Sequence, residues 1–350
     1  MICFGADTEA SPGPINAKEM DIPMAVRCVI LDDYQDVATG LAEWDRLAGS
    51  VSITRQERHL EGEDLVDALS GSEIVVAMRE RTVFSDDLLA RLPKLKLLVT
   101  TGMKNASIDM SAARRRGVVV CGTGSSAGAA AELAWGLLLG LMRSLPDESA
   151  NFRSGGERWQ LSLGRELKGK TLGVVGLGKL GQLVAGYGKA FGMEVLGWSK
   201  HNSPERSAGL GIGFAATLEE LLARADVVSL HVTLNDETRG LIDAHGLGLM
   251  KRDAVIVNTS RGPLIDEEAL IAALEGGRIG GGALDVYDRE PLPADHPFRR
   301  LPNVIATPHL GYVTRETYSI YFREALEDIE RWLAGDPIRV INGEDTKDGS

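Results

Sequence analysis

Cysteine is scarce in this chain, with only Cys3, Cys28 and Cys121 spread through 350 residues. So few and scattered thiols exclude a disulfide framework and a metal knuckle, and they suit a reducing compartment, so a cytoplasmic location is expected. Long apolar runs are also missing: no stretch is long enough to cross a bilayer, and no membrane partner is expected. Positive charge is in deficit, with 38 Lys and Arg against 50 Asp and Glu and a net charge of -12. Such a surface repels nucleic-acid phosphates, and the densest basic cluster, Arg114, Arg115 and Arg116, reads as a solvated helix end. Residues 1–23, with Pro12, Gly13, Pro14 and Pro23, lack the basic start and apolar core of a secretion signal. They read as a loose extension, with Met24 as a candidate functional start. No long repeat or low-complexity segment occurs.

A chain of this length exceeds the ~250–300 residues at which a single core stops growing, so two domains are expected. Hydrophobic residues at 44% and charged residues at 25% match an ordinary globular protein. VRCVILDD, from Val26, reads as a strand, followed by a helical pattern through Val37, Leu41 and Trp44. Strand-like runs at 51–54, 74–77, 97–100 and 118–121 alternate with helical stretches, as in a parallel sheet covered on both faces. A small-residue segment, 122–143, reads as one long buried helix with a glycine-rich lead-in that crosses between domains. After a polar stretch around 151–164, runs at 171–175, 194–198, 227–230, 254–258 and 282–285 build a second unit. A last amphipathic helix is expected at Arg315–Leu333, with Tyr318, Phe322, Leu326, Ile329 and Leu333 on one stripe. Because the nucleotide unit lies mid-chain, that helix is expected to return to the first domain.

The expected fold is therefore α/β, with two Rossmann-like doubly wound parallel-sheet domains and the active cleft between them. The substrate-binding unit, flavodoxin-like, takes residues 24–122 and 318–342; the dinucleotide unit takes 123–317. Residues 343–350 read as a frayed tail.

KTLGVVGLGKLG, Lys170 to Gly181, carries the strongest single signal. Gly176, Gly178 and Gly181 fit G-x-G-x-x-G, in which the first glycine makes the tight turn, the second admits a pyrophosphate and the third packs helix on strand. Unpaired N–H groups at the helix start would hold the phosphates. The competing reading is a structural turn in a chain with 41 glycines. The apolar run before it and the helical spacing of Leu180, Val184 and Ala185 after it favour the dinucleotide.

Three later segments place polar groups at the ends of strands, where open α/β sheets bind ligands. AVIVNTSRGPLIDEEAL delivers Thr259, Ser260 and Arg261 into a loop before an acidic helix start. GGALDVYDREPLP places Asp285 at a strand end and Glu290 before Pro291; NVIATPHLGY places His309 after Pro308 and before Gly311. Reducing a 2-oxo acid needs a cation for the carboxylate, a general acid for the new alkoxide and a carboxylate that tunes the acid. Arginine, histidine and glutamate suit those roles. Each has a bland alternative, as loop cap, packed turn or exposed charge, but all three fall in strand-end loops of the unit that holds the glycine turn.

These motifs, in this order, resemble the D-isomer-specific 2-hydroxyacid dehydrogenase family, which includes phosphoglycerate dehydrogenases and glyoxylate/hydroxypyruvate reductases, over residues 25–342. The resemblance implies an oxidoreductase moving a hydride between NAD or NADP and a small D-2-hydroxy or 2-oxo acid. It implies that Arg261 binds substrate and that His309 and Glu290 form the acid/base pair. Lys179 and Leu180 would contact the pyrophosphate, Val232, Thr259 and Ser260 would line the nicotinamide side with Gly311 nearby, and Asp285 would meet the nicotinamide carboxamide. The first-domain loop containing Met103, Lys104 and Asn105 would offer its backbone to substrate, and a homodimer is implied, with the small-residue helix around 129–141 as candidate face.

The chain departs from the family pattern at three points. Ser199 stands where an acid usually pairs with the ribose hydroxyls, which with Lys200 and His201 beside it leans the expectation towards NADP tolerance. Lys104 replaces a glycine, and Thr233 stands where proline is common. Glu290, where formate dehydrogenases carry glutamine, disfavours formate, and the short stretch after the strand-like run 338–341 disfavours a serine-sensing domain. The alternative from another class is a dinucleotide-sensing, corepressor-like interaction protein on the same fold.

Overall fold

The computed structural model describes residues 25–126 and 128–343; the extension 1–23, Met24 and the tail beyond 343 lie outside the described residues. Short runs of branched and aliphatic residues form two all-parallel sheets, buried on both faces as unbroken apolar runs require. The first contains β1 (Val26–Ile30), β2 (Val51–Arg55), β3 (Ile74–Ala77), β4 (Leu97–Thr100) and β5 (Val119–Gly122), ordered β2-β1-β3-β4-β5. The second contains β6 (Thr171–Val175), β7 (Glu194–Trp198), β8 (Gly213–Phe214), β9 (Val227–Leu230), β10 (Val255–Asn258), β11 (Gly281–Leu284) and β12 (Val304–Ala306). Its order is β12-β11-β10-β9-β6-β7-β8, so strand direction of travel reverses between β6 and β9 and leaves a crevice at their C-terminal ends.

Alternation along each strand splits its side chains between two cores. In the first unit, Val29, Val75, Leu98 and Val120 face helices Gly62–Leu69, Asp86–Ala90 and Met110–Arg115. Cys28, Ile30, Val76 and Val99 face the opposite way and pack under the final helix, Arg315–Leu333, through Tyr318, Tyr321, Phe322, Ala325, Leu326 and Ile329. The helix stripe is thus spent on the first sheet although nearly the whole second unit separates them in sequence. Leu333, also placed on that stripe by spacing, is exposed. In the second unit, helices Ala129–Met142 and Lys179–Ala190 cover one face, while Leu218–Arg224, Ala244–Leu249 and Glu267–Glu275 cover the other.

Several local expectations change. The apolar spacing of Val37, Leu41 and Trp44 does not form an α-helix but two 3-10 turns, Ala38–Gly40 and Trp44–Leu47. The Asp33 carboxylate takes the N–H groups of Val37 and Ala38, and Trp44 Nε1 donates to the Ala38 carbonyl, which folds the segment back before a helix can propagate. The lead-in of the small-residue helix is non-helical at 123–126 and at Gly128, with Gly124 N–H held by Glu324 Oε2 at 2.6 Å. An unforeseen helix, Leu145–Ser154, precedes the polar stretch and runs into its start. The run 338–341 forms no strand, only an isolated antiparallel bridge between Val340 and Cys121.

Candidate active site

The glycine turn occupies the crevice at the end of β6, and its three glycines do three different things. Gly176 has φ +96, and a Cβ there would meet the His231 carbonyl oxygen at 2.6 Å. A Cβ on Gly181 would sit 1.9 Å from the Gly176 carbonyl oxygen, so only hydrogen lets the helix Lys179–Ala190 start this close to the turn. Gly178 faces open space, is exposed, and caps the helix without any side-chain hydrogen bond. An open, Cβ-free approach beside the positive end of a 12-residue helix, with Lys179 and Leu180 in its first turn, fits a dinucleotide pyrophosphate.

The loop after β10 carries Thr259, Ser260 and Arg261. Asn258 shapes it, its amide donating to the Arg261 carbonyl at 2.8 Å and accepting the Ser260 N–H at 3.0 Å. Ser260 Oγ donates to the Val232 carbonyl at 2.6 Å, tying this loop to the one after β9. Arg261 Nη1 donates to the Ser260 carbonyl at 2.6 Å, which fixes that end of the guanidinium.

The loop after β12 presents His309, whose φ of 54 is rare for a non-glycine residue. Three bonds hold it in that conformation. Asp285, fully buried at the end of β11, accepts Thr307 Oγ1 at 2.6 Å, Leu310 N at 2.7 Å and Gly311 N at 2.8 Å. Burial pushes the Asp285 carboxyl up, opposed by these bonds and by His309. His309 Nδ1 lies 2.6 Å from Glu290 Oε2, and Glu290 Oε1 accepts the Tyr287 N–H at 3.0 Å. If Glu290 accepts, Nδ1 is the donor of this bond, which leaves Nε2 as the ring nitrogen outside the pair.

The first unit supplies groups that sequence reasoning missed. Beyond β3, the segment Arg79, Glu80, Arg81 reaches the same cleft: Glu80 Oε1 accepts from Arg261 Nη2 at 2.7 Å, across 181 residues of sequence. Arg81 Nη1 donates to the Asp32 carbonyl at 2.7 Å, and its guanidinium lies over the Tyr34 ring at 4.2 Å. A cavity of about 1130 Å³ opens beside the His309–Glu290 pair, with Tyr34, His59 and Arg81 on one wall and Glu290 and His309 on the other, and it extends outward along β12. The only sequence signal for this wall was a dense run of charge, MRERT, directly after a buried strand.

Other expected residues fall as follows. Met103 and Lys104 are exposed at the end of β4. The Asn105 side chain is buried, its amide donating to the Arg79 carbonyl at 2.6 Å and to Thr100 Oγ1 at 2.8 Å while its oxygen accepts Ser107 N–H at 2.8 Å. Its polar atoms are consumed in shaping the loop. Ser199 follows β7 and is half-buried, while the exposed Lys200 ammonium is paired with Glu237 at 2.6 Å. Arg206, not singled out by sequence, reaches back to the Leu177 carbonyl of the glycine turn at 3.1 Å. Among the described residues no group of three or more His, Cys, Asp or Glu could hold a metal ion, and no helix is long and apolar enough to cross a membrane.

Two parallel α/β units, a glycine turn at a strand-order reversal and an Arg, His and Glu set in the adjoining loops define the class of two-unit dinucleotide-binding folds. A family model described as "D-isomer specific 2-hydroxyacid dehydrogenase, NAD binding domain" matches residues 135–311, and the chain belongs to that family. It is 38% identical over 313 residues to a D-3-phosphoglycerate dehydrogenase of Methanocaldococcus jannaschii, covering 89% of this chain and 58% of that protein. It is 39% identical over 271 residues to a glyoxylate reductase of Aeropyrum pernix, covering 75% of this chain and 80% of that one. A crystal structure of a phosphoglycerate oxidoreductase from Vibrio cholerae matches with a TM-score of 0.84 at 39% identity, covering 89% of this chain and 99% of the other. The chain thus spans little more than half the length of the Methanocaldococcus relative.

Proposed function

We propose that the protein interconverts 2-oxo acids and D-2-hydroxy acids with a nicotinamide dinucleotide. The observation that carries this reading is the 2.6 Å contact of His309 with Glu290, in the loops that flank Arg261 and the glycine turn. Arg261 binds the substrate carboxylate with the guanidinium N–H groups that the Ser260 carbonyl and Glu80 Oε1 do not engage. His309 Nε2 hands its proton to the substrate C2 oxygen in reduction and removes it in oxidation, while Glu290 keeps the Nδ1 proton in place. A bound nicotinamide supplies or accepts the hydride at substrate C2. Val232, Thr259 and Ser260 would border its ring side, and Asp285 serves chiefly to hold the His309 loop, three of its acceptor positions being already filled.

NADP tolerance follows from Ser199, which places no carboxylate against a 2'-phosphate. Since Glu237 neutralises Lys200, Arg206 is the better placed cation for that phosphate. Assembly as a homodimer is part of the same reading. The helix around 129–141 is mostly buried within its own unit, so the better candidate face is the exposed apolar group that follows it, Leu145, Phe152, Trp159 and Leu163. The relatives named above are reductases and dehydrogenases, which favours the enzyme over a sensor.

The test is oxidation of NADH and NADPH by the purified protein with glyoxylate, hydroxypyruvate and pyruvate. Turnover with at least one acid is expected; cofactor binding without oxidation across the panel would overturn the enzyme reading.

A further inference from the structure

A general acid works only if its proton points at the atom that takes it, and a misplacement of about 1 Å can cost about 10²-fold in rate. In His309 the Glu290 contact anchors one ring nitrogen, Nδ1. A single hydrogen bond leaves an imidazole free to turn about it, so the plane of the ring, and with it the direction of Nε2, needs a second support. Tyr312, in the same loop, supplies one. The two ring centroids lie 5.2 Å apart with their planes at 73°, an edge-to-face contact of the favoured kind.

Tyr312 is itself held from the other unit. It is buried in the core beneath the final helix, with Tyr318 and Tyr321 at centroid distances of 6.4 and 6.3 Å. The guanidinium groups of Arg79 and Arg81, from the loop after β3, lie over its ring at 5.9 and 5.5 Å. Its hydroxyl is buried too and has no hydrogen-bond partner among the described residues, so the ring, not the hydroxyl, is what this position uses. His309 thus sits between a carboxylate of the second unit and a ring seated in the first. We propose that Tyr312 is a positioning residue: its ring, wedged in the first unit's core, fixes the plane of the His309 imidazole and so aims Nε2 at the substrate oxygen. A tyrosine that only filled the core would, on replacement, lower stability without any loss specific to His309.

This role rests on the acid/base reading of His309 given above. The single-turnover rate of NADH or NADPH oxidation and the KM are measured with a 2-oxo acid that wild type reduces, for wild type, Tyr312→Leu, Tyr312→Phe, and His309→Ala with and without Tyr312→Leu. Melting curves and dinucleotide fluorescence establish that each protein is folded. Tyr312→Leu, which keeps apolar bulk and removes the flat ring, should slow the single-turnover step by roughly tenfold or more while moving KM and dinucleotide affinity by less than about threefold. Tyr312→Phe should restore the rate to within about twofold of wild type, and in the His309→Ala background Tyr312→Leu should cost less than about twofold more. A Tyr312→Leu rate within about twofold of wild type overturns the proposal, as does an equal fall in the His309→Ala background, which would make Tyr312 a general support. If Tyr312→Leu does not fold, Tyr312→Met takes its place, and a fall of roughly tenfold in Tyr312→Phe overturns the proposal whichever of them folds, because the hydroxyl would then be the active part. Failure of wild type to reduce any 2-oxo acid, or full turnover in His309→Ala, removes the reading above together with this one, whereas turnover that needs His309 and ignores Tyr312 removes only the latter.

Discussion

His309 combines two unusual features, a left-handed backbone and a 2.6 Å carboxylate contact. A non-glycine residue at φ 54 costs of the order of 1 kcal/mol and persists only where neighbours enforce it. Asp285 enforces it here, through the N–H groups of Leu310 and Gly311. His309→Ala is therefore expected to lower kcat/KM by about 10²–10⁴-fold while leaving dinucleotide affinity within about twofold, read by stopped assays and fluorescence titration. Unchanged turnover would remove His309 from the reaction. Asp285→Ala should act differently, releasing the whole loop, so that turnover and thermal stability fall together in a melting experiment. Arg261, Glu290 and His309 were legible in sequence because each follows a strand-like run within a specific motif. Glu80 and Arg81 were not, since their meaning depends on a loop from one unit meeting Arg261 of the other.

At the scale of the element, the glycine turn and the final helix make opposite demands on a methyl group and on a proton. Gly178→Ala adds a Cβ into open space and should barely move the melting temperature, yet weaken dinucleotide binding measurably. Gly181→Ala adds one against the Gly176 carbonyl and should destabilise the fold by about 1–3 kcal/mol or more, seen in chemical denaturation. If the two variants behave alike, the division of labour among the glycines is wrong. In the helix Arg315–Leu333, burial pushes the Asp328 carboxyl up to about 7 although Arg339 Nε bonds it at 2.9 Å. A carboxyl raised on folding favours the folded state while protonated, so its contribution is full below the ordinary carboxylate range and is lost as pH climbs through about 7. Asp328→Asn should flatten that decline relative to wild type in melting curves taken from pH 4 to 8, and an unchanged difference between the two proteins across the range would contradict it. The bounds of this helix could be read from its stripe because period and partner agree. The 37–44 segment could not, because its spacing suits a helix while Asp33 and the Trp44 indole close it into 3-10 turns.

For the molecule as a whole, the Glu80 to Arg261 bond spans the cleft, so the two units are tied by a charge pair beside the site proposed for substrate. The sequence indicated two sheets through its apolar runs, and the strand order within each emerged only from the packing. Removing the chain after Thr314 should leave the first sheet with one face uncovered: amides of β1, β3 and β4 should lose protection in hydrogen exchange, while those of β6 and β9 keep theirs. Equal loss in both sheets would mean that the units do not fold separately. The same arrangement sets an order of assembly at the ribosome. The half made first must wait, one flank bare, until the codons for Arg315–Leu333 are read, whereas the half made second can close as soon as it emerges. Termination just before that helix therefore yields a product whose early half is the defective one, a natural target for chaperones or proteases.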